Sequence, residues 1–191
     1  MEIAALQALQ TLFIKQKITF MVNRYEVWSA DAAGNPGGLI AFAQQKRMAM
    51  REQVTLYRDE SRSAVLAAFK ARSVLDLRGT YDVTDGAGAP IGTFRKDFAQ
   101  SLLRSTWHVD QPGLPTATGQ ERNLFVALLR RFSDISFLPY HFDFVSGGTP
   151  VFSVDKQWGI TDKYVVRISN PQLDRRLVIA MAVALDALQS R

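Results

Sequence analysis

Two short motifs in this chain contain residues that bind metals or transfer protons. His108-Val109-Asp110 and His141-Phe142-Asp143 each place an imidazole two positions before a carboxylate, and they hold the only two histidines of the sequence. Residues two apart on a strand point to the same face, so each motif would present both groups together. If the two strands were neighbours, one metal ion would have these ligands within reach: His108, Asp110, His141 and Asp143. The alternative is a set of solvent-facing polar positions, which we favour because nothing in the sequence places the two strands side by side.

Other signatures of catalysis are missing from the sequence. There is no cysteine, which excludes disulfides, thiolate metal sites and a cysteine nucleophile. There is also no Gly-x-Ser-x-Gly elbow, no glycine-rich phosphate loop and no His-Glu-x-x-His helix. We therefore expect a protein that is not an enzyme and that uses no cofactor.

Basic residues form a second group of interest, because they recur beside phenylalanines that open successive segments. The openers are Phe13, Phe42, Phe69 and Phe94. The basic residues beside them are Lys15, Lys17, Lys46, Arg47, Lys70, Arg72, Arg95 and Lys96. If the openers lie side by side, these cations form a band that meets phosphate head groups. The same band would also serve as a solvated edge that discourages strand-to-strand aggregation, and from the residues alone we favour this interpretation.

The composition is that of an ordinary globular protein with a mild basic excess. The chain has 191 residues, of which 47% are hydrophobic and 21% are charged, and its formal charge is +5. Such an excess is compatible with an anionic partner, although many proteins without one carry as much. We expect no nucleic acid partner, because the aromatic residues fit strand patterns better than base-stacking platforms.

The phenylalanine openers recur every 25 to 29 residues and reveal an internal repeat. Each unit leads from a basic strand to an aromatic or β-branched strand and then to a turn rich in Gly, Asp or Pro, such as the segment 31–38. This order is typical of antiparallel hairpins. A sheet of many short strands must close or stack to protect its edges, and no linker divides the chain. We therefore predict a single domain over residues 1–191.

Two segments interrupt the strand pattern with helical spacing. Residues 1–12 place Ile3, Leu6, Leu9 and Leu12 on one face, which predicts a short amphipathic helix resting on the body. Thr118 to Glu121 fits a capping box, and apolar residues between Leu124 and Phe132 follow at helical spacing. The sequence therefore predicts a helical insertion over 114–138, which is also a candidate docking surface for a protein partner.

The C-terminal stretch predicts a helix that is buried on every side. From Leu177 to Leu185 every residue is apolar, so a helix built from this run has no polar face. A bilayer span needs roughly 20 such residues, which makes protein a better surrounding than lipid and excludes a transmembrane span here. Asn170 suits an N-cap and Pro171 the first helical position, so we place this central helix at 171–190.

Several of these motifs, in this order, resemble the LURP-one-related proteins. The motifs are Phe13-Ile14-Lys15-Gln16-Lys17, Tyr25-Glu26-Val27-Trp28, Tyr81-Asp82-Val83-Thr84-Asp85, Val154-Asp155-Lys156-Gln157-Trp158, Thr161-Asp162-Lys163-Tyr164 and the stretch Leu173 to Asp186. The likeness runs from Phe13 to the end of the central helix, apart from the segment Leu114 to Pro139. It implies a mainly β, closed antiparallel barrel of about twelve strands wrapped around the C-terminal helix. That fold agrees with the requirement for a fully sheathed helix.

This family belongs with phospholipid scramblases in the tubby C-terminal-like superfamily, whose tubby branch binds phosphoinositides. The resemblance therefore implies a cytoplasmic module, peripheral to membranes, that binds anionic phospholipid or phosphoinositide head groups. Scramblases carry an acidic calcium-binding segment before the last helix, but the stretch Asp162 to Asp174 has acids only at its two ends. Scramblase-like phospholipid transfer and a protein-interaction scaffold are the alternatives.

Overall fold

The computed structural model describes residues 2–17, 23–45, 53–73, 79–97, 105–122, 140–159 and 161–189. They form two helices and twelve strands. The helices are α1 (Ile3–Gln7) and α2 (Arg175–Gln189). The strands are β1 (Thr11–Lys17), β2 (Arg24–Ala30), β3 (Pro36–Gln45), β4 (Gln53–Tyr57), β5 (Val65–Ala71), β6 (Thr80–Asp85), β7 (Pro90–Lys96), β8 (Thr106–Asp110), β9 (Ala117–Glu121), β10 (His141–Ser146), β11 (Thr149–Gln157) and β12 (Lys163–Ile168).

The twelve strands make a closed antiparallel barrel. Each strand pairs with the next along the chain, and β12 pairs back with β1, for example through Ile14 opposite Tyr164. Closure leaves no free sheet edge, which is the condition that so many short strands demand. The predicted mainly β barrel is confirmed.

The wall of the barrel encloses helix α2, as the apolar run predicts. Every residue from Leu177 to Leu185 has no solvent-exposed surface. Small residues allow the close approach: a Cβ at Gly92 would lie 2.9 Å from Cδ2 of Leu177 and 2.4 Å from the carbonyl oxygen of Asp110. The helix is therefore the core of the molecule, and the strands orient their side chains either toward it or toward solvent.

Both terminal helices are shorter than predicted. Helix α1 ends at Gln7, because Thr11 and Leu12 already pair with β12 in the barrel. Helix α2 begins at Arg175 rather than at Pro171: the Asn170 side chain accepts the N–H of Gln172 at 2.9 Å and so closes a turn instead of capping a helix. Asp174 is the residue that caps α2, since its Oδ1 accepts the N–H of Arg176 at 2.8 Å.

The predicted insertion is wrong over its first part. Residues 117–121 form strand β9, whose Gly119 lies opposite Trp107 of β8 and Phe144 of β10. The capping-box pattern misled because Thr118 and Glu121 suit a strand as well as a helix start, and barrel closure selects the strand. Residues 123–139, which include the proposed docking surface between Leu124 and Phe132, lie outside the described residues.

The four phenylalanine openers lie on β1, β3, β5 and β7, so each repeat unit is a hairpin as predicted. They do not share one face, however. Phe69 and Phe94 are fully buried inside the barrel. Phe13 and Phe42 point away from the barrel interior, because their strand neighbours Ile14 and Ala41 point inward and are fully buried; Phe13 is nevertheless buried, and Phe42 is partly exposed. The cations beside the openers consequently differ in direction from unit to unit.

Candidate functional site

The strand directions bring the opener cations to one end of the barrel. Strands β1, β5 and β7 all run toward the end at which α2 terminates, which we call the upper end, and the end at which α2 begins is the lower end. Lys15, Lys17, Lys70, Arg72, Arg95 and Lys96 lie in the upper halves of these strands or directly after them. Lys46 and Arg47 lie outside the described residues.

Most of these cations are already engaged by neighbouring side chains. Arg72 donates to Asp82 at 3.1 Å, and Arg95 donates to Asp110 at 2.6 Å. Lys96 points inward, with its Nζ 5.8 Å from the centre of the Trp107 ring. Around β5 to β8 the predicted band is therefore a series of cross-strand contacts, in which Lys70 alone among the described opener cations is exposed and makes no ion pair with a described residue.

A different arrangement occurs on the outer surface of β12, β1 and β2. Lys15 lies directly opposite Lys163, and Lys17 lies directly opposite Arg24. All four point outward, because the intervening positions of these strands point into the barrel. We call Lys15, Lys17, Arg24 and Lys163 the cationic face. Two acids adjoin it. Glu26 lies opposite Lys15 and forms an ion pair with Lys17, which raises the lysine's pKa, and the carboxylate of Glu60 lies 4.0 Å from Lys17.

Three members of the cationic face have no ionic partner within the described ranges: Lys15, Arg24 and Lys163. Like charges directly opposite each other on adjacent strands destabilise a sheet. The sequence prediction found Lys15 and Lys17 but missed Lys163 and Arg24. Neither stands beside a phenylalanine opener, and only the pairing register of the closed barrel shows that they join the set.

A groove of about 200 Å³ adjoins the cationic face on the outside of β2, β3 and β4. Its lining includes Lys17, Arg24, Phe42, Tyr57, Glu60 and Arg62. We call it the outer groove. The β4–β5 loop forms one wall, held by the N–H of Arg58 bonded to the carbonyl of Ala64 at 2.9 Å. Arg62 in this loop has a φ of 60°, a left-handed conformation that is uncommon for a residue with a side chain.

A second, larger groove of about 600 Å³ lies outside β6, β7 and β8. Its polar lining includes Thr84, Thr93 and the carboxylates of Asp82 and Asp110. Because Arg72 and Arg95 already bind these carboxylates, the groove presents balanced charges. It is less suited to an anionic ligand than the outer groove.

The two His-x-Asp motifs do not meet, since β9 lies between β8 and β10. His108 contacts Thr118 at 3.1 Å and Asp97 at 3.3 Å, while His141 contacts Asp155 at 3.0 Å. Asp110 binds Arg95, and Asp143 accepts from Arg122, which lowers the pKa of Asp143. Within the described ranges no group of three His, Cys, Asp or Glu side chains is placed to hold a metal ion. The metal hypothesis requires β8 and β10 to be neighbours, and they are not.

The upper end of the barrel interior contains a buried polar cluster that the sequence analysis missed. The carboxylate of Asp186 on α2 accepts hydrogen bonds from the hydroxyls of Tyr25, at 2.7 Å, and of Tyr164. Burial raises the pKa of Asp186 to about 6, although both tyrosine hydrogen bonds oppose the shift. Nearby, Nζ of the buried Lys156 lies 2.9 Å from Asp162.

The lower end of the interior holds a buried cation instead. The guanidinium of Arg175 donates to the backbone carbonyls of Leu9 at 2.9 Å and of Leu173 at 2.6 Å. It also donates to the carbonyls of Asn170 and Pro171. The side chain is 2% exposed. These contacts connect the start of α2 to the segments before β1 and after β12, the two strands that close the barrel, which gives Arg175 a structural role.

No helix of the described residues is long and apolar enough to cross a membrane.

Comparison with known proteins identifies the family. No curated protein sequence matches the chain significantly. The family model described as LURP-one-related matches residues 39–186, which extend from β3 through most of the central helix. The chain therefore belongs to the LURP-one-related family.

Proposed function

We propose that this protein is a non-enzymatic binding module that attaches to anionic phospholipid head groups at a membrane surface through its cationic face. The observation that carries the proposal is the register of β12, β1 and β2, which sets Lys15 opposite Lys163 and Arg24 opposite Lys17. An anionic partner bound at this face would offset the repulsion between like charges that lie directly opposite each other. The family and the barrel support a tubby-like binding module at this coarser level.

The expected attachment is weak and reversible. A lysine or arginine close to an anionic leaflet contributes about 1 kcal/mol, so the three members without an ionic partner contribute about 3 kcal/mol, which corresponds to a dissociation constant of roughly 5 to 10 mM. Screening by salt reduces this further, because the cations are at the surface. The anionic leaflet of a cell membrane faces the cytoplasm, and we therefore propose a cytoplasmic, peripheral location.

Binding at the outer surface suits this barrel better than phospholipid transfer. The apolar residues Leu177 to Leu185 are fully enclosed by the wall, so an acyl chain would reach them only after strands separate. Head-group binding at the cationic face requires no such opening. A module that docks on the surface and keeps its core closed is the function that this geometry favours.

Co-sedimentation with vesicles tests the proposal. Vesicles of phosphatidylcholine, with and without phosphatidylglycerol, are compared for the wild type and for the double variant Lys15→Gln/Lys163→Gln. We expect the double variant to bind anionic vesicles about tenfold to thirtyfold more weakly, since two contributions of about 1 kcal/mol are removed. The matched control is Arg58→Gln/Lys70→Gln, which removes two cations that likewise make no ion pair with a described residue.

Two results would contradict the proposal. One is a wild type that sediments equally with neutral and anionic vesicles. The other is an equal loss of binding in both double variants, which would assign the attraction to net charge rather than to the cationic face. Circular dichroism of each variant shows whether the barrel is intact, and all four substituted residues are surface positions.

A further inference from the structure

We infer that the outer groove binds the phosphoserine head group of phosphatidylserine. In this arrangement Arg24 and Arg62 take its phosphate and its carboxylate, and Glu60 takes its ammonium group. The inference rests on the proposed function, because it names the lipid that the same surface selects. It depends on four features of the described residues: the charges left after internal pairing, the chemistry of the lining, the backbone of Arg62, and the position of the groove.

The charges of the groove reduce to three groups. Lys17 and Glu26 form a close ion pair and cancel each other. Glu60 lies 4.0 Å from Lys17, at the limit of an ion pair, and its side chain is 71% exposed. Arg24 and Arg62 make no ion pair with a described residue. The groove therefore presents two positive groups and one negative group to a ligand.

The phosphoserine head group has the complementary set of charges. It carries a phosphate, a carboxylate and an ammonium group. Its two negative groups match the two arginines of the groove, and its one positive group matches Glu60. A phosphoinositide offers only anions and would place one of them near Glu60. Phosphatidylglycerol has the same net charge as phosphatidylserine but lacks the ammonium and the carboxylate. Charge complementarity of this kind provides specificity more than raw affinity.

The lining suits such a ligand in size and chemistry. Guanidinium groups form bidentate hydrogen bonds with both phosphates and carboxylates, which a lysine ammonium does not. Tyr57 and Phe42 are half-buried in the lining and provide a hydroxyl and an apolar surface beside the arginines. A volume of about 200 Å³ is below the roughly 300 to 1,000 Å³ of pockets for drug-sized ligands, and fits a single head group.

The backbone of Arg62 is a second, independent indication of a ligand site. Its φ of 60° is the only positive φ of a non-glycine residue in the described part of the chain. The loop imposes it: the N–H of Arg62 donates to the carbonyl of Asp59 at 3.2 Å, and the Ser63 hydroxyl donates to the Asp59 carboxylate at 3.2 Å. Non-glycine residues held in this region are concentrated at ligand sites. Here the loop directs an arginine into the groove where a glycine would relieve the strain.

The groove also lies where the cationic face would meet a membrane. Lys17 and Arg24 belong to both surfaces, so a head group in the groove is next to the cations that attract the leaflet. Long-range attraction and short-range selection would thus operate on one continuous surface. The cationic face supplies the first, and the groups at Arg62 and Glu60 supply the second.

The test compares two lipids of equal charge. Co-sedimentation is measured with phosphatidylcholine vesicles that contain the same fraction of either phosphatidylserine or phosphatidylglycerol. We expect the wild type to bind the phosphatidylserine vesicles about tenfold more tightly. Arg62→Gln should abolish this preference, while Lys70→Gln, which removes an exposed cation outside the groove, should leave it unchanged.

Glu60→Gln provides the sharpest variant. Removing a negative charge from a surface that only attracts anions would strengthen binding to both lipids. If Glu60 holds the ammonium group, the substitution weakens binding to phosphatidylserine and not to phosphatidylglycerol. Stronger binding of this variant to phosphatidylserine vesicles would overturn the inference.

The outcomes separate the inference from the function on which it rests. Equal wild-type binding to the two anionic lipids overturns the phosphoserine inference and leaves the membrane-binding proposal standing. Binding to neither overturns both. Soluble glycerophosphoserine should compete with phosphatidylserine vesicles, and glycerophosphoglycerol should not. A phosphoserine peptide, whose amino group is acylated, should also fail to compete, and equal competition by that peptide would assign the groove to phosphopeptides instead.

Discussion

The two ends of the central helix solve opposite electrostatic problems. At the lower end a buried guanidinium, Arg175, is surrounded by backbone carbonyls. At the upper end a buried carboxylate, Asp186, is held by the hydroxyls of Tyr25 and Tyr164. Both charges run against the helix macrodipole, which favours anions at the N-terminus and cations at the C-terminus. Tertiary contacts, rather than helix preference, must therefore stabilise each end.

The comparison shows that one end has a fixed charge and the other a variable one. Burial lowers the pKa of Arg175, but a guanidinium remains charged at any pH at which the protein folds. Asp186 becomes neutral when it takes up a proton, and its pKa of about 6 brings this change near physiological pH. Burial also raises the pKa of both tyrosines, so their hydroxyls stay protonated and continue to donate. The charge of Arg175 is thus insensitive to pH, whereas the charge of Asp186 responds to it.

The largest expected effect is at the lower end. Arg175→Met should reduce the free energy of unfolding by about 3 to 5 kcal/mol, because four backbone carbonyls lose their buried donor. Denaturant titration followed by tryptophan fluorescence measures the change. Arg176→Met is the control, since among the described residues Arg176 binds only Asp174, through a partly buried ion pair, and should cost about 1 to 3 kcal/mol. Equal stability of the two variants would show that the carbonyl contacts of Arg175 contribute little.

The upper end should show a pH dependence of intermediate size. The pKa of Asp186 rises from 3.8 to about 6 on folding, so between these values the native state binds a proton that the unfolded state has lost. Its contribution to stability is therefore fully present below about pH 4, falls as the pH rises, and levels off above about pH 6, a change of roughly 3 kcal/mol. The measurement is the difference in unfolding free energy between the wild type and Asp186→Asn across this range.

Using Asp186→Asn as the reference removes the contributions of other acids, whose effect on stability changes with pH in the opposite direction. The pKa of Asp174 lies below its ordinary value, since hydrogen bonds from Arg176 and Gln7 outweigh the effect of burial. The pKa of Asp143 is likewise lowered by the hydrogen bond from Arg122. These groups stabilise the fold at higher pH and lose that contribution as the pH falls, in both proteins equally. A wild-type curve parallel to that of Asp186→Asn would show that Asp186 titrates normally.

The smallest effect concerns a single hydroxyl at the upper end. Tyr25→Phe removes one donor to Asp186. Above about pH 7 the carboxylate is charged and the loss should be about 1.5 to 3 kcal/mol, whereas below about pH 4.5 it should fall to about 0.5 to 1.5 kcal/mol. The same substitution should raise the pKa of Asp186 further, because the Tyr25 hydrogen bond lowers it. A cost that does not vary with pH would contradict the ionised state assigned to Asp186.

Local pattern predicted the elements of this fold more reliably than their limits. The apolar run from Leu177 to Leu185 predicted an enclosed helix, because nothing but burial satisfies a helix without a polar face. The start of that helix was misplaced, since Asn170 and Pro171 satisfy a turn as well as a helix start. Strand β9 was missed for a similar reason. In each case two local structures are compatible with the same residues, and long-range pairing decides between them.

The candidate site was predicted only in part. Lys15 and Lys17 followed from the repeat, but Lys163, Glu60 and Arg62 belong to other segments and have no common spacing with them. The repeat also placed Arg72 and Arg95 in a free band, whereas cross-strand neighbours pair them with carboxylates. Which cations lack an acid depends on the residues opposite them, and strand register determines those residues.

The sequence by itself determined that the chain forms short antiparallel strands around a hydrophobic helix, because period-two alternation and an all-apolar run each admit one kind of surrounding. Only the tertiary structure decided which side chains meet. Closure of β12 onto β1 sets Lys15 against Lys163, and it brings Tyr25 and Tyr164 to Asp186 from strands that are far apart in the chain. These contacts arise from the register of a closed sheet, and register is a property of the whole barrel rather than of any segment.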